Sequence, residues 1–211
     1  AATVFLGGCN MRCPYCHNPG LVFKTAELIS EESVLKTLSE NKKWIDAVCI
    51  TGGEPTIQAN LPLFARKLKD LGFLVKLDTN GTNPEMLSEL FDANLLDYIA
   101  MDVKGVPEDY ENSCGVKVDV ALVKKSAEII MKSCVDYEFR TTVVPGFFDE
   151  KIARKIGVWL GGAKKYYLQQ FVASGKMIDP KMCAVKPYSK KEREAFVEIL
   201  KPSFCEVGLR D

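Results

Sequence analysis

Ala47-Val48-Cys49-Ile50-Thr51-Gly52-Gly53-Glu54-Pro55 is the stretch whose reading decides the fold: a short apolar, largely β-branched run stops abruptly at two glycines, an acid and a proline. That is a strand and its terminator. A helix pattern follows, with Leu61, Phe64, Ala65, Leu68 and Leu71 recurring on one side and Arg66, Lys67, Lys69 and Asp70 on the other. After Gly72 the chain is apolar again from Phe73 to Leu77 and halts at the polar turn Asp78-Thr79-Asn80-Gly81. Strand, helix and strand on short links predict a parallel crossover unit.

The unit recurs in both directions. Thr3 to Leu6 reads as a strand ending at Gly7-Gly8, and Ser30 as the N-cap of a helix carrying Val34, Leu35 and Leu38. Pro84 opens a helix to about Phe91, and Asp97 to Met101 is a strand that stops at Asp102-Val103-Lys104-Gly105. A helix from Val120 to Lys132, a strand from Tyr137 to Val144, a helix from Lys151 to Leu160 and a sixth strand from Lys165 to Phe171 complete the series. Beyond it, Ala173 to Pro187 reads as irregular, Lys190 to Leu200 as an amphipathic helix and Phe204 to Val207 as a short terminal strand.

The expected fold is therefore α/β with parallel strands. Six units suggest a partial TIM barrel, (β/α)6, open on one side; an open doubly wound sheet is the alternative, and periodicity does not separate them. One domain over residues 1–211 is expected, with its core at about 2–172 and a C-terminal helical extension at about 173–211. In either architecture the strand C-termini share a rim, so the turns after them converge.

The first of those turns holds the densest chemistry, Cys9-Asn-Met-Arg-Cys13-Pro-Tyr15-Cys16-His17. Its C-x3-C-x2-C spacing supplies three thiolates, whereas a structural zinc site takes four donors and a [4Fe–4S] cluster has four irons to ligate. One corner stays open for a ligand from elsewhere. The remaining cysteines, Cys49, Cys114, Cys134, Cys183 and Cys205, are scattered singly and read as free apolar thiols in a reducing compartment.

Lys plus Arg and Asp plus Glu both number 28, so no net field invites a polyanion, and nucleic acid is not an expected partner. No apolar run is long enough to cross a bilayer, and the chain reads as soluble and cytoplasmic. It begins without methionine inside a strand, as expected if N-terminal residues are missing.

The converging turns offer a matching set of contacts. Gly52 and Gly53 allow close backbone approach, Glu54 faces an ammonium, Lys104 a carboxylate, and Asp78, Asn80 and Asp102 hydroxyls or a small cation. Tyr15 can lie beside a flat heterocycle. A ligand with an amino group, a carboxylate, a ribose and a base answers all of these.

Cys9-x3-Cys13-x-Tyr15-Cys16 resembles the signature of the radical S-adenosylmethionine (SAM) enzymes, and Gly52-Gly-Glu-Pro55 looks like that family's second motif. The resemblance implies a [4Fe–4S] cluster on Cys9, Cys13 and Cys16, with SAM chelating the fourth iron and its amino group held by the second motif. Cys16-His-Asn-Pro19, Asp78-Thr-Asn-Gly81, Met101-Asp-Val-Lys104 and Arg140-Thr-Thr-Val-Val-Pro-Gly146 are similar to the glycyl-radical-enzyme activases, most of all those of anaerobic ribonucleotide reductase. That likeness implies a monovalent cation held by Asp78, Thr79, Asp102 and the Val103 carbonyl. It also implies Lys104 at the cofactor carboxylate and Arg140 at the site.

The pattern departs at the sixth strand, where Phe171-Val-Ala replaces a histidine and leaves Gln169 or Gln170 for the ribose. There is also no ferredoxin-like insert. The activity implied is reductive cleavage of SAM to a 5′-deoxyadenosyl radical that takes hydrogen from a glycine of a partner enzyme. A flavodoxin- or ferredoxin-type donor would supply the electron. A radical SAM enzyme acting on a small molecule such as a deazapurine precursor is the second reading. An electron carrier without turnover is the third, and the open corner of the cluster argues against it.

Overall fold

The computed structural model describes residues 1–173 and 175–210; Ser174, in the stretch expected to be irregular, and Asp211, the end of the expected domain, lie outside the described residues. Seven strands form one sheet: β1 (Ala2–Leu6), β2 (Ala47–Gly52), β3 (Leu74–Thr79), β4 (Tyr98–Asp102), β5 (Asp136–Val143), β6 (Lys165–Gln170) and β7 (Glu206–Arg210). They lie side by side in chain order and every neighbouring pair is parallel. A doubly wound sheet reverses its strand order at a switch point. This one never does, so it winds in one direction as an incomplete barrel, with β1 and β7 at its two edges.

The connections are helical: α1 (Pro19–Val22) and α2 (Glu31–Glu40) after β1, α3 (Leu61–Asp70) after β2, α4 (Pro84–Asp92) after β3, and α5 (Tyr110–Cys114) with α6 (Val120–Lys132) after β4. α7 (Glu150–Trp159) follows β5, and α8 (Lys190–Leu200) follows β6. Their starts are chemically marked. Ser30, Asn83, Asp119 and Asp149 each accept a hydrogen bond from a first-turn amide, and Ser189 with Glu192 forms a reciprocal capping box.

Along the strands the residues alternate between two environments. Val48, Ile50, Val75, Leu77, Ile99 and Leu168 are fully buried, whereas Cys49, Lys76, Asp78, Asp102 and Gln169 between them are partly open. Since successive side chains of a strand point to opposite faces, the apolar set faces the helices and the polar set faces the concave side. The polar lumen is where a ligand fits.

Two differences from the sequence expectation stand out. The sheet has seven strands where six units were expected, because Glu206–Arg210 pairs in parallel with β6 from Lys165↔Glu206 to Gln169↔Arg210. The segment after residue 173 is therefore not only a helical extension; its last strand continues the sheet. Phe204 stacks on Tyr166 with ring centroids 4.7 Å apart just before that strand begins, fastening it to β6. The short α1 and α5 were not anticipated either. Both lie next to the cysteine loop in space, since Gly8 N donates to Leu21 O and Arg12 N to Cys114 O.

Candidate functional site

The turns after β1, β2, β3 and β4 enclose a cavity of about 300 Å3 at the C-terminal rim. The first loop contributes Cys9, Cys13, Tyr15 and Cys16 to its wall, and the second Gly52, Gly53 and Glu54. Asp78, Thr79 and Asn80 come from the third, Asp102 and Lys104 from the fourth, and Arg140 from β5. The candidate cluster and cofactor residues thus lie on one cavity, and Val103, whose carbonyl the resemblance places at a cation, is buried outside its lining. His17 is exposed at its mouth.

The glycines make this convergence possible. Gly53 N donates to Leu6 O at 2.9 Å and Glu54 N to Gly8 O at 2.8 Å, clamping the second turn onto the cysteine loop. A Cβ on Gly53 would stand 1.9 Å from Gly8 O and 3.2 Å from Cys9 Cβ. Gly52 has φ +122°, and a Cβ there would come within 2.4 Å of Leu6 O. No side chain fits at either position while the two loops stay in contact.

Glu54, expected as an anionic partner for an ammonium, lines the cavity from a buried position. It is 1% exposed and both carboxylate oxygens are engaged. Oε1 accepts from Thr56 N, Thr56 Oγ1 and Thr79 Oγ1, and Oε2 from Asn80 N at 2.6 Å. Burial raises its pKa against the opposing pull of those donors. The carboxylate ties the second turn to the third.

Among the described residues no three His, Cys, Asp or Glu side chains converge to hold a single metal ion. A cube-shaped cluster places no such demand, because each thiolate binds a different iron. Three thiols around one cavity therefore suit a cluster rather than an ion. Burial pushes the Cys9 thiol up to about 11 and raises that of Cys16, so both keep their protons until a metal displaces them. Cys13 goes the other way, lowered to about 7, first by a hydrogen bond from Cys114 and then by Lys104, against its burial.

That contact gives Cys114 a place the sequence did not reveal. It is fully buried at the end of α5; its thiol is the leading cause of the lowered Cys13 pKa, and its carbonyl accepts from Arg12 N at 2.8 Å. Gly115, at φ +67°, lets the chain pass Arg12 O, which an added Cβ would meet at 2.2 Å.

Opposite the cysteines sits a compact charge cluster. Arg140 bridges two strands, with Nε 2.6 Å from Asp102 Oδ1 and a terminal nitrogen 3.1 Å from Asp78 Oδ2. Lys104 Nζ lies 3.3 Å from Asp102 Oδ2, and Lys76 Nζ makes an ion pair at 2.8 Å with Asp78 Oδ1. Burial works to raise the Asp102 carboxyl, but Arg140 and then Lys104 overcome it and hold it well below the usual range. Burial likewise opposes the Lys104 ammonium, and Asp102 holds its pKa well above the ordinary lysine value.

The remaining wall is polar at β5 and β6, from Thr142, Gln169 and Gln170. Gln170 donates through Nε2 to Phe171 O while its buried Oε1 has no partner. A buried acceptor left open costs stability unless a ligand hydroxyl reaches it. Tyr15, buried and set edge-on to Phe147 at 5.5 Å, closes the near side. The cradle without Cβ atoms, the orphaned acceptor and the three thiols together fit a cluster and a nucleoside-bearing amino acid.

The fold and this cavity define an enzyme class. The radical SAM superfamily pattern matches residues 3–156, and the chain belongs to that superfamily. A Methanocaldococcus jannaschii protein bearing the provisional name glycyl-radical enzyme activating enzyme is 37% identical over 176 residues, 81% of this chain and 72% of its own length. The 7-carboxy-7-deazaguanine synthase of Neisseria meningitidis serogroup B is 33% identical over 131 residues, 62% of this chain and 56% of its own length. Among solved structures, Streptococcus suis SuiB bound to SAM superposes with a TM-score of 0.75 at 10% identity, over all of this chain and 50% of that one. The last likeness concerns the fold alone. This chain spans about half to three quarters of these proteins.

Radical SAM enzymes bind a [4Fe–4S] cluster and SAM in this fold, and the cysteines required are present. No helix is long and apolar enough to cross a membrane among the described residues.

Proposed function

We propose that this chain is a glycyl-radical-enzyme activating enzyme that uses SAM to abstract hydrogen from a glycine of a partner enzyme. The observation that carries the reading is the 37% identity to a relative of that name over 81% of the chain. The cavity supports it. At about 300 Å3 it lies at the low end of the roughly 300–1,000 Å3 seen for ligand sites, room for the cofactor and little else. A substrate reaching it from outside, as a loop of another protein does, needs no further space.

Cys9, Cys13 and Cys16 would hold the cluster, and SAM the fourth iron. When bound, the pair supplies one-electron cleavage of SAM to a 5′-deoxyadenosyl radical. The chain's own residues bind and orient. Gly52 and Gly53 admit the methionine end against bare backbone, while Lys104 and Arg140 present positive charge to its carboxylate. Asp78 and Asp102 fix those two cations, while Thr79 and Asn80 hold Glu54, which anchors the turn behind them. Gln170 Oε1 accepts from a ribose hydroxyl, and Tyr15 shields the base from water. The protein works in the cytoplasm with a flavodoxin- or ferredoxin-type donor.

The relation to a 7-carboxy-7-deazaguanine synthase favours a second reading, a small-molecule substrate. An anaerobic assay separates the two. Cluster-reconstituted protein with dithionite and SAM should release 5′-deoxyadenosine, and Cys13→Ala should not. Adding a glycyl radical enzyme, anaerobic ribonucleotide reductase first, should produce the electron paramagnetic resonance doublet of a glycyl radical. Silence with every such partner, together with turnover of a deazapurine precursor, would overturn the activase reading.

A further inference from the structure

A second cavity, of about 390 Å3, opens between the turn that follows β4 and residues of α6 and α7, and it shares no lining residue with the rim cavity. Lys124, Arg154 and Lys155 line it beside a single acid, Glu108, and exposed Val158 and half-buried Trp159 add apolar surface. Lys155 pairs with Glu108, whereas Lys124 and Arg154 make no ion pair with a described residue. The lining thus carries two positive charges in excess on a chain whose formal charge is zero, and Asp109 and Glu111, the next acids along the chain, do not line it. All three bases are exposed, so the groove presents charge to another surface and is not a closed pocket for a small anion. It also backs onto the cysteine loop. Trp159 stands edge-on to Tyr110, ring centroids 6.4 Å apart, and buried Tyr110 accepts from Lys104 N at 3.1 Å. The same short helix ends at Cys114, whose carbonyl accepts from Arg12 N, next to Cys13.

We propose that this groove is the docking site of an acidic one-electron carrier protein, which delivers its electron from behind the cysteine loop. Charge complementarity selects the partner: carboxylates of the carrier meet Lys124 and Arg154, the two bases left unpaired. Electron-transfer encounters bury little area, under about 1,200 Å2, and are steered by charge, so a shallow groove ringed by bases suffices. The position suits the task as well. A carrier seated here leaves the mouth of the rim cavity free for SAM and for the substrate. The carrier is oxidised by one electron and the cluster reduced by one; no bond forms or breaks. The inference rests on the proposed carrier-type donor and not on the glycine target.

The test titrates the chain, cluster-free and cluster-reconstituted, into fluorescently labelled flavodoxin and, separately, a bacterial ferredoxin, following anisotropy at low and high salt. At least one carrier should bind saturably and lose affinity as salt rises. Lys124→Glu combined with Arg154→Glu should weaken that binding at least about tenfold, whereas Lys36→Glu combined with Lys43→Glu, the same charge change at exposed positions elsewhere, should stay within about threefold of native. All four side chains are exposed, so neither pair disturbs the core. In stopped flow, reduction of the cluster by subsaturating carrier should slow in the groove variant, and reduction by dithionite should not. No saturable binding of either carrier would overturn the proposal, as would equal weakening by both pairs of reversals or equal slowing with dithionite. So would ATP binding that is lost in the groove variant while carrier binding stays, which would make the groove a phosphate site. Neither SAM nor a partner enzyme enters the assay, so a failure here leaves the activase test standing.

Discussion

Gly53→Ala is the sharpest perturbation of the clamp between the two rim turns. The added methyl would start 1.9 Å from Gly8 O and must retreat by about 1.1 Å to reach even 3.0 Å, the closest approach real Cβ atoms make. The two nearest atoms are the backbone O and C of Gly8 and the third is Cys9 Cβ, so the cysteine loop has to move bodily. Opening the gap breaks the bond from Glu54 N to Gly8 O, worth about 1 kcal/mol, and adds an overpacking cost of about 1–3 kcal/mol. The sum, roughly 2–4 kcal/mol, lowers the melting temperature by about 4–16 °C at about 2–4 °C per kcal/mol for this chain length. Cys9 follows Gly8 directly, and a displacement of about 1 Å in a reacting geometry costs on the order of a hundredfold in rate. The assays are thermal unfolding of the cluster-free chain, iron per chain after reconstitution and 5′-deoxyadenosine release. Gly175→Ala is the control, since its Cβ meets nothing within 4 Å. A Gly53→Ala protein that melts and loads iron like Gly175→Ala would refute the clamp.

Other sites give independent checks. In Glu54→Gln an amide NH2 opposes Asn80 N, leaving a buried donor unpaired at about 1–3 kcal/mol. Because burial raises the Glu54 pKa, the native chain has that group's full stability below about pH 4.3 and loses it as pH rises through the raised value. Urea unfolding should therefore show the deficit of Glu54→Gln largest in acid and shrinking with pH; a widening deficit would count against the assignment. Cys114→Ala removes a donor to the Cys13 sulfur, which favours the more negative reduced cluster. Its midpoint potential should fall by up to roughly 40 mV, the equivalent of about 1 kcal/mol for one electron, by potentiometric titration. Phe204→Ala deletes the stack on Tyr166 at the opposite end of the strands. It should cost about 3–5 kcal/mol in denaturant while iron per folded chain stays unchanged.

Much of the scaffold was legible because its signals are local. The helices Val120–Lys132 and Lys190–Leu200 were bounded correctly by side-chain periodicity, and in the structure Asp119 and Ser189 cap them. Strand ends drifted by one or two residues, as at Leu74–Thr79, because Asp78 and Thr79 look like turn residues and yet sit in the ladder. The terminal strand was glimpsed at Phe204 to Val207 and lies at Glu206–Arg210, since its pairing with β6 is not local. The rim residues were legible because strand ends converge whatever the sheet's details. Their partners were not. The bridge from Arg140 to Asp78 depends on the register of three strands, and Cys114 meets Cys13 only because α5 folds back on the cysteine loop. The donors around Glu54 were likewise illegible, because Thr79 and Asn80 reach it from another strand end.

The clamp also gives the cavity a chemical sense of direction. The amides of Gly53 and Glu54 are spent on Leu6 O and Gly8 O, and that of Thr56 on Glu54 itself, so this turn has only carbonyl oxygens left to offer. The facing wall carries the cations Lys104 and Arg140, held by Asp102 and Asp78. Under the proposed function, the head group of SAM would enter with its ammonium toward the glycines and its carboxylate toward the bases. Reversed, the carboxylate would face the carbonyl oxygens of the turn. On that reading the scaffold would set the direction of a zwitterion before any metal arrives.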